Sequence, residues 1–95
     1  MSGRVCVIIE HREAWDDYES YDSVIAVAGN PTIAENLIES YKNELIDKTY
    51  KKGDIATEMT EVGGDVTVKV EERTNCNTFH YTYYWTIEDF EIIGP

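Results

Sequence analysis

Apolar positions along this chain fall into short runs of period two, interrupted once by a long stretch of period near 3.6. Arg4–Glu10 (RVCVIIE) sets Val5, Val7 and Ile9 on one face and Cys6 and Ile8 on the other. That two-sided pattern predicts a central strand covered, at least partly, on both faces. Residues 23–29 (SVIAVAG) have the same character and are expected to pair antiparallel with it. The connection between them then spans about a dozen residues, where hairpins usually take 2–5. From Thr32 onward, Ala34, Leu37, Ile38, Tyr41 and Leu45 recur at spacings of three and four. This is one apolar stripe of a helix over 32–48, with Glu35, Glu39, Lys42, Asn43 and Lys48 turned outward. Asn30 is a candidate cap and Pro31 a candidate first-turn residue. A capping box Thr32-x-x-Glu35 is the alternative start. Lys48, Lys51 and Lys52 suit the negative end of the helix dipole, and Gly53 suits its stop.

The remaining residues read as strands. Residues 54–62 alternate weakly, GGD at 63–65 turns, and VTVKVEER at 66–73 alternates cleanly with Val66, Val68 and Val70 inward. After turn residues TNCN at 74–77, TFHYTYYWTI puts Phe79, Tyr81, Tyr83, Trp85 and Ile87 on one face. His80, Thr82, Tyr84 and Thr86 fall on the other. The period shifts at Glu88–Asp89, and Phe90, Ile92 and Ile93 predict a bulge or a short closing strand. The order β-β-α-β-β-β predicts a single α+β domain over 1–95, an antiparallel sheet with one helix packed on a face.

The acidic Tyr-rich stretch after the first strand, the helix core IAENLIESY and the closing WTIEDFEI together resemble small acidic β-β-α-β proteins of uncharacterised function from phage and bacterial genomes. The likeness covers residues 4–46 and 84–93, with the hairpin at 54–83 as an insertion. It implies a phage-like origin and carries over no functional residue.

Charge narrows the function. Nineteen acidic residues against eight basic ones give a net charge of -11 over 95 residues. Such a field repels nucleic acid and anionic lipid, and attracts basic partners within a Debye length of ~8–10 Å. The charge is densest in EHREAWDDYESYD, residues 10–22, with six carboxylates and three aromatics. No signal-peptide pattern or membrane-length apolar run is present, so a cytoplasmic location is expected (the host cytoplasm for a phage protein). In a reducing compartment Cys6 and Cys76 are expected to be free thiols.

Residue-level chemistry offers little to an enzyme. Of Cys6, His11, Cys76 and His80, only Cys76-x₃-His80 has acceptable zinc spacing. Asp16, Glu19 and Asp22 cluster oxygens but depart from the EF-hand pattern. Glu10, His11, Glu13, Asp16 and Asp17 are titratable, yet nothing separates a buried acid from a solvated base. No nucleophile elbow or Walker loop is present. The aromatic row from Phe79 to Trp85 lacks the basic groove of a single-strand platform. The expectation is therefore a non-catalytic binding protein without metal or cofactor, as a monomer or homodimer. Its expected target is the basic nucleic-acid groove of a host defence or nucleic-acid-processing protein, blocked in the manner of anti-CRISPR proteins and DNA mimics. Glu13, Trp15, Asp16, Asp17, Tyr18, Glu19, Tyr21 and Asp22 would form the contact, the carboxylates steering encounter and the aromatics anchoring it. Alternatives are an antitoxin or immunity protein, and a small enzyme or nucleotide-sequestering protein with a pocket at 10–22.

Overall fold

The computed structural model describes residues 2–14 and 20–93. From them it forms strands β1 (Ser2–Ala14) and β2 (Tyr21–Ala28), helix α1 (Pro31–Lys51), and strands β3 (Ile55–Thr60), β4 (Val66–Arg73) and β5 (Thr78–Ile93). The strands make one antiparallel sheet in the order β2-β1-β5-β4-β3, with α1 on one face. The α+β architecture expected from the pattern is the one observed.

The helix begins where a cap permits it. Asn30 is extended and its side chain accepts a hydrogen bond from the Ile33 N–H at 2.9 Å, with Pro31 in the first turn. The Asn30 start therefore prevails over the Thr32–Glu35 box. The helix outruns its apolar stripe to Lys51 and ends at Gly53, whose φ of +84° is a left-handed conformation natural to glycine.

Two small clusters hold the layers together. Cys6, Ile8, Ala28 and Ala34 are buried, with Leu37, Ile38, Trp85 and Ile87 packed around them. Ala56, Val68, Val70 and Tyr81 form the second, with Ala14, Leu45, Ile46, Tyr83 and Trp85 against it. Alanines on both layers let the helix backbone come close to the sheet. Trp85 packs on both clusters and joins the two halves of the core.

Several expectations are corrected. Lys42 is not turned outward: it is buried and pairs with Glu39 at 2.8 Å and with Glu58 of β3. Long stems can lie along an apolar layer while the head reaches carboxylates at its rim. Phe79 is substantially exposed rather than under the helix, because it sits beside Glu72 near the sheet margin. β5 runs unbroken through Glu88–Asp89 in regular register with β1, and the one shift in β1–β2 pairing is at Ile8/Ile9 instead. β1 is fully covered on the helix side, at Cys6 and Ile8, and only partly on the other. Val5, Val7 and Ile9 look onto the side without the helix and are only half-buried.

The strands are also staggered. β1 pairs with β5 from Tyr81 to Ile93, whereas β4 pairs with β5 only from Thr78 to Tyr84. Both neighbours thus flank β5 only over Tyr81–Tyr84. Beyond it, β1 and β5 continue as a ribbon past the end of β2, which pairs no further along β1 than Cys6. The radius of gyration is 15.7 Å and the long axis 57 Å. A compact chain of this size would have about 12 Å, so the stagger gives an elongated molecule.

Candidate functional site

The stretch singled out for its charge is mostly strand. β1 extends to Ala14 and β2 starts at Tyr21, so six residues at most separate the two strands and not a dozen. Trp15, Asp16, Asp17, Tyr18 and Glu19 lie outside the described residues. Of the expected contact residues, Glu13, Tyr21 and Asp22 are described, and strand alternation divides them between the two faces.

Tyr21 falls on the helix side. Its hydroxyl donates to Glu10 at 2.9 Å, and its ring lies against the Arg12 guanidinium, 4.6 Å from the ring centre. Arg12 also lies 5.0 Å from the centre of the Tyr81 ring. Burial, then the hydrogen bond to Glu10, pushes the Tyr21 hydroxyl up to about 12. Among the described residues, Glu10 and Tyr21 border a shallow hollow of about 250 Å³ together with Tyr41, Glu44, Lys48 and Tyr83. Its two carboxylates disfavour a nucleotide phosphate.

Glu13 and Asp22 fall on the open face, around His11. The imidazole meets Asp22 through Nδ1 at 2.5 Å and the Thr86 hydroxyl through Nε2 at 2.7 Å, and it stacks on Tyr84 at 4.5 Å between ring centres. The order carboxylate, imidazole, hydroxyl is shared with hydrolytic relays. Here the three groups come from neighbouring strands of one sheet face, and Tyr84 clamps the ring flat. That arrangement ties β2, β1 and β5 together.

Beside this tie lies a hollow of about 390 Å³, lined among others by Glu13, Glu61, Asp65, Thr67, Tyr84 and Thr86. The β3–β4 turn supplies Glu61 and Asp65. Gly63 and Gly64, at φ of +105° and +91°, let the chain reverse so that both carboxylates rim the hollow. The Tyr84 hydroxyl is held above the ordinary tyrosine range, first by burial and then by the charges of Glu13 and Asp22. An anion is disfavoured at this spot, and an ammonium or guanidinium group is favoured. Sequence reasoning missed Glu61, Asp65, Tyr84 and Thr86 as partners of Glu13. The signal available was the GGD turn flanked by carboxylates, but its neighbour across the sheet depends on register.

Cys6 and His11 point to opposite faces, Cys6 being buried and donating its thiol to Asp89 at 3.1 Å. Cys76 is exposed. Among the described residues, no three His, Cys, Asp or Glu side chains are grouped to hold a metal ion. No described helix is long and apolar enough to cross a membrane. No protein-family model, curated protein or solved structure matches the chain.

Proposed function

We propose that this chain is a non-catalytic acidic binding protein that covers a basic protein surface of the kind that holds nucleic acid. The observation that carries the reading is the hollow where Glu13, Glu61 and Asp65 converge beside Tyr84, on the sheet face that no helix covers. Carboxylates from two separate hairpins make a patch that competes with phosphates for lysine and arginine. The net charge of -11 adds long-range attraction to the same partners. The reading extends to an inhibitor of a host defence or nucleic-acid-processing protein, acting in the cytoplasm of the host, if the resemblance to small acidic proteins of phage and bacterial genomes reflects a phage origin.

The test is displacement of a labelled DNA duplex from purified proteins with basic grooves, across a salt series. Displacement should be strong at low salt and fall as salt rises. Replacing Glu13, Glu61 and Asp65 with their amides should weaken it and flatten its salt dependence. Equal displacement by parent and amide variant would refute the role of this patch.

A further inference from the structure

An unpaired strand edge offers a row of N–H and C=O groups to any extended chain, and proteins blunt such edges with charged side chains, proline, bulges or a covering element. Nine residues of β5, Trp85–Ile93, lie beyond Tyr84, the last residue paired with β4. No described strand occupies that side of them. β1 backs the whole run on its other side, so the edge is held extended. It is ~30 Å long at ~3.3 Å per residue, and it contains no lysine, proline or register shift. Its charges, Glu88, Asp89 and Glu91, are of one sign, so they turn away an acidic strand and admit a basic one.

We propose that this edge takes an extended segment of the basic partner as a sixth strand, in line with β4. The proposal rests on the reading above of a chain that covers a basic protein. The side chains along the edge specify what would fit. On the open face, Thr86 borders the acidic hollow, Glu88 follows, and then come Phe90 and Ile92, each about half exposed. On the helix face, Trp85 and Ile87 precede Asp89 and Glu91. Opposite-charge and apolar cross-strand pairs stabilise a sheet, and like charges directly opposite oppose it. The segment therefore carries lysine or arginine opposite Thr86, Glu88, Asp89 and Glu91, and apolar residues opposite Trp85, Ile87, Phe90 and Ile92. A second copy of this chain fits less well, because antiparallel pairing about the middle of the edge sets like charges opposite, Asp89 on Asp89 or Glu88 on Glu91 according to register. Main-chain hydrogen bonds would give affinity and this row of charges selectivity, the division found in strand-addition complexes.

The experiment uses the full chain labelled for NMR, and a nine-residue peptide with lysine and valine placed by that pattern, in both chain directions. Binding should shift alternate amides within Trp85–Ile93 and protect them from exchange. A peptide of equal charge, N-methylated along its pairing side, should bind at least ~tenfold more weakly. Glu88→Lys should weaken the parent peptide and strengthen one with glutamate opposite that position. Shifts confined to Glu13, Glu61 and Asp65, with no effect of N-methylation, would overturn strand addition while leaving the acidic-surface reading intact. Edge pairing with the peptide, but no displacement of DNA from any basic protein, would keep the edge and sink the nucleic-acid-groove reading. A chain that sediments as a dimer with the same amides already protected would assign the edge to a second copy and overturn the proposal.

Discussion

The indole N–H of Trp85 donates to Glu10 at 3.1 Å, and the other oxygen of that carboxylate accepts from Tyr21 at 2.9 Å. A carboxylate on the helix side of the sheet is thus held by donors from both neighbouring strands. Trp85→Phe keeps most of the ring but removes one donor, and should cost about 1–2 kcal/mol in denaturant unfolding. Trp85→Ala also opens the junction of the two clusters and should cost about 3 kcal/mol or more. Equal stability of the parent and the Phe variant would show that the Glu10 bond contributes nothing.

Leu37 packs against the cluster of Cys6, Ile8, Ala28 and Ala34. Leu37→Ala should cost about 2–4 kcal/mol, with the lower figure favoured because the site is only partly buried. A loss under ~0.5 kcal/mol would mean that this helix face is not seated on the sheet.

The thiols should separate in reactivity. Cys76 is exposed, whereas Cys6 is buried and its pKa is raised by its hydrogen bond to Asp89, by burial and by the Asp89 charge. A thiol reagent near neutral pH should modify Cys76 promptly and Cys6 only on unfolding. Rapid reaction of both in the folded chain would contradict the packing of the first cluster.

Alkaline pH should loosen the domain in a defined window. The Tyr21 hydroxyl ionises at about 12 in the folded chain, against about 10 unfolded, because burial and Glu10 favour its neutral form. A raised folded value means that its contribution is fully present below about pH 10 and is lost as pH climbs to about 12. Lys42 works in the same direction, its ammonium favoured by hydrogen bonds to Glu39 and Glu58. Following tyrosinate absorbance, Tyr21→Phe should remove a late-ionising step and shallow the stability loss above pH 10. An unchanged titration curve would place Tyr21 away from Glu10.

Much of the fold was legible because its period changes were clean. Val66, Val68 and Val70 marked β4 to its observed bounds, and Asn30–Pro31 marked the helix start. What misled was local context without a partner. EHREA looked like a loop because it is charged, yet His11 and Glu13 are strand residues whose polar side chains suit an uncovered face. Lys42 looked solvent-facing because only the fold brings Glu58 over it. Of the residues picked from the sequence, Glu13 alone lines the open-face hollow, while Asp22 meets His11 beside it and Tyr21 lies on the helix side. The meeting of Glu13 with Glu61 and Asp65 depends on a stagger that no local pattern encodes.

The position of β5 also has a consequence for how the chain is made. The β1–β2 hairpin, α1 and the β3–β4 hairpin all precede it in synthesis, and β5 then enters between β1 and β4. Until it arrives, two edges destined for the middle of the sheet stand open on a nascent chain. Pairing between residues as far apart as Ser2 and Ile93 makes that closing step slow relative to a helical chain of equal length. The exposure of the half-made protein to aggregation therefore lasts until β5, from Thr78 to Ile93, has paired with both β1 and β4.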